Sequence, residues 1–176
     1  YRETDFNFIS RLMEEEGISY HFSHEKDKHK LVLVDSILSY VPFPQYATIP
    51  FHPEPANADH YQKDYIHEWG ISQEVQSGGY SLTDFDFTKP NANLLAKSLN
   101  PQKHSQNGFE LFDYPGLYTE LEIGEALTRI RLEEQHVDFE ICEGQCNARG
   151  LVTGHFFDMT EHPNRTQNRR YLVLSS

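Results

Sequence analysis

Hydrophobic and polar positions along residues 1–34 predict a helix followed by a hairpin. Thr4 or Asp5 can cap a helix whose apolar face is Phe8, Ile9, Leu12 and Met13, and Gly17 stops it just after Glu14, Glu15 and Glu16. Three acids beside the negative end of a helix are locally unfavourable, so they read as a solvated face. Ile18, Tyr20 and Phe22 then alternate with polar residues, as a strand with one buried face does. The charged tip from His24 to Lys30 turns the chain back into Leu31–Val34.

The pattern breaks between Asp35 and Asp64, where Pro42, Pro44, Pro50, Pro53 and Pro55 are interspersed with Tyr40, Phe43, Tyr46 and Phe51. Prolines at that density exclude a long helix or a central strand. The segment reads as a linker whose aromatics lie on a surface, with a domain boundary near Ala58. This gives a helix-hairpin element with its Pro-rich linker over 1–57, and a β-rich domain over 58–176.

Beyond the boundary the period is mostly two. Trp69, Ile71 and Val75 share one parity before Ser77-Gly78-Gly79, and Tyr80 and Leu82 follow, so two strands should meet at this glycine turn. Phe85 and Phe87 have shifted parity, which places a bulge near Thr83-Asp84. Asn93–Leu99 reads as a short helix, and Phe109–Phe112 as a strand ending in the turn Tyr114-Pro115-Gly116. Ile123, Ala126, Leu127 and Ile130 recur at i, i+3, i+4 and i+7, so Gly124–Gln135 should be an amphipathic helix with that face in the core. Val137, Phe139 and Ile141 return to period two. A turn over Gly144–Gly150, a strand over Leu151–Asp158, a turn at His162-Pro163-Asn164 and a last strand over Tyr171–Leu174 complete the chain. The expected class is α+β and β-rich, with antiparallel strands and one long helix.

Charge narrows the partners. The 176 residues carry a net charge of −12, and an acidic chain repels a phosphate backbone, so nucleic acid is not an expected partner. The 38% hydrophobic content is enough for a core, while apolar runs such as Leu31–Val34 fall far short of the roughly 18 residues of a membrane span. The opening Tyr1-Arg2-Glu3-Thr4-Asp5 has no basic n-region or apolar h-region, which reads as a piece of a longer chain without a signal peptide. The only cysteines, Cys142 and Cys146, form no disulfide framework and suit a reduced compartment.

Candidate chemistry is sparse. His67-Glu68 opens like the zinc-protease pattern H-E-x-x-H, but Ile71 stands in the second histidine's place. His21, His24 and His29 are close in sequence, yet His21 and His24 have opposite strand parity, and they read as ordinary exposed histidines. Cys142 and Cys146 could join His155 or His162 around zinc, although no second closely spaced ligand pair accompanies them. Arg165, Arg169 and Arg170 form the one small basic cluster, a solvated loop or a grip on an acidic partner face. No nucleophile elbow, phosphate-binding loop or dinucleotide fingerprint is present.

Several stretches, taken in order, resemble the VgrG family, the spike protein of bacterial type VI secretion systems, in its part similar to the hub of contractile phage tails. They are Tyr1–Ile18 (YRETDFNFISRLMEEEGI), Leu31–Ser36 (LVLVDS), Leu82–Pro90 (LTDFDFTKP), Asp113–Gly116 (DYPG), Arg129–Glu134 (RIRLEE), Asn147–Leu151 (NARGL) and Glu161–Pro163 (EHP). The resemblance implies a non-catalytic homotrimer whose hub part forms a ring of β-barrels on the secreted tube, below a needle that pierces the target membrane. On that reading the chain holds the helix-hairpin insertion and most of the second barrel, with no catalytic, cofactor-binding or metal residues. The implied partners are the secreted tube protein, baseplate components and effector proteins, with target-membrane contact made by parts outside this chain. Assembly in the bacterial cytoplasm and secretion at the tip of the apparatus follow from the same resemblance. Two other readings remain: a metal-dependent hydrolase using His67, Glu68 and the Cys142 region, and a carbohydrate- or peptide-binding β-domain contacting its ligand through the Tyr-rich linker.

Overall fold

The structure is a computed structural model that describes residues 2–53 and 63–176. It is strand-rich, with two α-helices, and the expected boundary near Ala58 lies outside the described residues. The chain gathers into two compact units. One takes the chain up to Gly17 together with Ile71–Ile141, and the other takes Ile18–Gly70 with Cys142–Ser176.

Local signals hold well at the start. Helix α1 covers Asp5–Glu15, with the Thr4 hydroxyl accepting from the Asn7 amide at 3.2 Å and Gly17 taking a positive φ just past the end. Strands β1 (Ser19–Glu25) and β2 (Lys28–Val34) pair antiparallel around the two-residue turn Lys26-Asp27.

In the first unit the sheet order is β6-β5-β7, with β5 at Gly79–Leu82, β6 at Ala96–Leu99 and β7 at Glu110–Asp113. Helix α2 (Leu121–Val137) packs on β6 and β5. The core between them is Tyr80, Leu82, Leu94, Ala96, Tyr118 and Leu132, with Leu127 at its margin. Tyr118 is the centre of this packing. Its ring lies where a Cβ on Gly124 would come within 2.4 Å, and its hydroxyl reaches the Leu82 carbonyl at 2.8 Å and also the Leu94 carbonyl. Burial pushes the phenol upward from its ordinary pKa.

The second unit is built on sheet β10-β9-β3, with β3 at Thr48–Pro50, β9 at Phe156–Thr160 and β10 at Arg170–Leu172. Ile49, Phe51, Ile66, Ala148, Phe157 and Met159 form its core, and Trp69, Tyr171 and Val173 pack against them. Gln167 is buried at the margin, where its Oε1 accepts from the Trp69 indole at 3.3 Å and from the Tyr171 hydroxyl at 2.8 Å. The remaining ribbon pairs β4 (Ile66–Gln73) with β8 (Glu140–Cys146).

Six expectations are corrected. The pairing is mixed: β5–β7 and β3–β9 are parallel, because their partners are brought together by long connections and not by tight turns. The two strands flanking Ser77-Gly78-Gly79 do not pair with each other, since β4 joins β8 while β5 joins β6 and β7. The glycine there serves close approach, for a Cβ on Gly78 would stand 1.8 Å from the Asn107 carbonyl oxygen. Asn93–Leu99 contains strand β6 in place of a helix, and the proposed bulge at Thr83-Asp84 lies beyond the end of β5. The buried stripe of α2 is Gly124, Thr128 and Leu132, while Ile123 and Ala126 are exposed. Finally, the proline-rich segment is no surface linker throughout, because Ile49 and Phe51 enter the core; Pro50 sits in an edge strand, where its missing N–H is tolerated.

Candidate assembly surfaces

Each unit leaves apolar surface uncovered. In the first, α1 has a sharply amphipathic sequence, but none of its residues is buried, and Phe6, Phe8, Ile9 and Leu12 all stand exposed. Strand β7 lies at the edge of its sheet with all four residues exposed, Leu111 and Phe112 among them, and among the described residues no further strand joins it. Phe109 and Tyr114 extend the same exposed run.

In the second unit the β1–β2 register sorts the hairpin into two faces. Tyr20 stands opposite Leu33, and Phe22 opposite Leu31, on one side; His21 stands opposite Val32, and Ser19 opposite Val34, on the other. The face with Val34 is turned inward, where the His21 ring lies 5.8 Å from that of His155 and 5.9 Å from that of Tyr40. Burial, and secondarily the charge of His155, lowers the pKa of His21. Phe22, Leu31 and Leu33 are exposed on the opposite face. Cross-strand apolar pairs of this kind stabilise a sheet when something covers them.

The residues singled out for chemistry are placed apart. His67 and Glu68 are successive residues of β4 and so point to opposite faces; His67 stacks edge-on against Tyr65, while Glu68 accepts from the Gln145 amide at 2.6 Å. Cys142 and Cys146 are free thiols on β8, separated by about 13 Å at the usual rise of about 3.3 Å per strand residue, too far for a disulfide. Burial raises the Cys142 pKa, making it a poor thiolate. His155 packs against Phe43, and His162 against Phe51 with ring centroids 4.4 Å apart. Among the described residues, no three His, Cys, Asp or Glu side chains converge as a metal site.

All three arginines of the cluster are exposed, and two of them are engaged within the chain. Arg170 forms a two-pronged pair with Asp158, at 3.0 and 3.1 Å, that holds the Asp158 carboxyl below its ordinary pKa; Arg169 lies over the Tyr171 ring. Arg165 opens a short 3-10 helix capped by Asn164. The acids Glu14, Glu15 and Glu16 lie at the end of α1, with Glu14 and Glu16 exposed.

The pairing of His24 with His29 was not visible from strand parity alone. They are directly opposite in the β1–β2 register, and their Nδ1 atoms are 2.7 Å apart. The signal was present in His24-Glu-Lys-Asp-Lys-His29, two histidines symmetric about a two-residue turn.

A sheet edge, a hairpin face and a helix face with exposed apolar residues are surface of the kind that marks interaction sites. The chain belongs to the phage tail baseplate hub (GPD) family, which matches it over residues 1–176. It is 40% identical over 176 residues to the type VI secretion system spike protein VgrG1b of Pseudomonas aeruginosa, covering 100% of this chain and 24% of that protein. It is 39% identical to the type VI secretion system spike protein VgrG1a of the same organism, over 100% of this chain and 27% of that protein. The actin cross-linking toxin VgrG1 of Vibrio cholerae is 32% identical over 99% of the chain and 16% of its own length. The chain therefore spans about a quarter of the Pseudomonas relatives. Among the described residues no helix is long and apolar enough to cross a membrane.

Proposed function

We propose that this chain is a structural, non-catalytic part of a type VI secretion spike, and that it works within a longer protein as one third of a trimeric hub between the secreted tube and the membrane-puncturing needle. The observation that carries this reading is the uncovered apolar surface on β7, on the β1–β2 hairpin and on α1. Edge strands with exposed Leu and Phe invite pairing, and closed symmetric association satisfies them without open-ended growth. On this reading the open three-stranded sheets complete a barrel-like ring only in the assembly. The 1–57 and 58–176 segments then correspond to an inserted helix-hairpin and a barrel portion.

Its partners on this reading are two further copies, the tube protein, baseplate components and carried effectors. The protein assembles in the bacterial cytoplasm and leaves at the tip of the apparatus. The test is a pair of charge insertions in the longer protein, Leu31→Glu on the hairpin and Phe112→Glu on β7, read by light-scattering mass alongside circular dichroism. Variants that keep their secondary structure and lose the trimer support the reading. Retention of full trimer mass by both would show that neither surface is an interface.

A further inference from the structure

Hairpin geometry brings His24 and His29 together in a way that parity along one strand does not reveal. Strands β1 and β2 are joined by Lys26-Asp27, so Glu25 and Lys28 close the turn and His24 and His29 form the next cross-strand pair. In an antiparallel ladder the pair after a hydrogen-bonded closing pair is the non-hydrogen-bonded kind, whose side chains stand closest. The two imidazoles are accordingly face to edge, with centroids 4.9 Å apart and Nδ1 to Nδ1 at 2.7 Å. A Lys30–Glu25 ion pair, at 2.5 Å, links the same two strands on the other face. Phe22 flanks His24 with ring centroids 6.4 Å apart.

We propose that His24 and His29 form a two-imidazole site for a late divalent transition ion, Zn2+ or Cu2+, at the tip of the hairpin. Metal–imidazole bonds of about 2.0–2.1 Å place two ligand nitrogens about 2.9 Å apart at a right angle and about 3.3 Å apart in a tetrahedron. The observed 2.7 Å separation therefore needs an opening of only a few tenths of an ångström, within reach of small χ adjustments. Both Nδ1 atoms must be unprotonated to ligate, so the ring that donates its Nδ1–H in the free pair exchanges that proton through solvent onto its own Nε2, and both rings bind the ion as neutral imidazoles with no net proton lost. Imidazole suits zinc and copper, and the positions that the two rings leave open take water. A chain of net charge −12 also concentrates cations around it. The bound ion cross-links β1 to β2 at their free end, and ligand that binds only the folded hairpin stabilises it.

The competing histidine pair in the same unit is His21 with His155, whose rings are more widely spaced at 5.8 Å. Zn2+ and Cu2+ are titrated calorimetrically into the protein and into His24→Gln, His29→Gln and His155→Gln variants, with amide hydrogen exchange recorded with and without the ion. Both hairpin positions are exposed, so these substitutions leave the fold intact. The expected result is a loss of at least about tenfold in affinity for either hairpin variant, about 1.4 kcal/mol. His155→Gln should match the unsubstituted protein, and metal-dependent protection should be confined to residues 19–34. Wild-type affinity in both hairpin variants, or a loss confined to His155→Gln, would overturn the site.

Discussion

Replacing Gly124 by alanine pits two effects of opposite sign against each other. In an exposed helix interior the change stabilises by about 1 kcal/mol, because alanine restricts the unfolded backbone and is the better helix former. At Gly124 the new methyl carbon would stand 2.4 Å from two ring carbons of Tyr118, where ordinary contact needs about 3.5–4 Å. The ring cannot swing aside freely, for it is buried and its hydroxyl is held between the Leu82 and Leu94 carbonyls. Overpacking of this kind costs about 1–3 kcal/mol, and displacing the hydroxyl from its carbonyls adds about 1–3 kcal/mol more. Setting about 1 kcal/mol of helix gain against both leaves a net loss of about 1–5 kcal/mol. Urea melts of Gly124→Ala read this directly, and a Tyr118→Leu background should remove much of the penalty as a positive coupling. A Gly124→Ala protein as stable as the parent, or more stable, would refute the packing argument.

Two further outcomes follow from the packing and the charges. Leu132→Ala should cost about 2–5 kcal/mol in the same melts, whereas Ile123→Ala, on the exposed side of α2, should change stability by less than about 0.5 kcal/mol; the reverse order would restore the stripe that sequence periodicity selects. The folded state holds the His21 pKa below its model-peptide value of 6.5, so its stabilising effect is present above about pH 6.5 and is lost as the pH falls from there toward the lowered folded value; His21→Phe should flatten the stability profile in that window, and an unchanged profile would contradict the assignment.

What the sequence showed was mostly local. The α1 cap at Thr4, the stop at Gly17 and the β1–β2 hairpin follow from neighbouring residues, and so they could be read directly. The α2 stripe could not, because two of its three buried positions are Gly124 and Thr128. The first is small to admit Tyr118, and the second hides its hydroxyl by donating to the Gly124 carbonyl at 2.9 Å. Apolar periodicity has no access to a core residue supplied from outside the helix. The parallel β5–β7 and β3–β9 pairs were hidden for a related reason, since partners far apart in sequence leave no turn signal. Candidate chemistry was overcounted where residues were close in sequence but alternated across a strand, as with His67 and Glu68. It was missed where a turn brought His24 and His29 opposite each other.

Assembly is the central claim, and the mass of the longer protein in solution tests it most directly. Light scattering at micromolar concentration should give three times the mass of one chain. The 176-residue stretch alone should associate more weakly, and more strongly as salt rises, because salt screens its net charge of −12 over a Debye length of about 8–10 Å at 0.10–0.15 M. A monomer of the longer protein at both low and high salt would contradict the account.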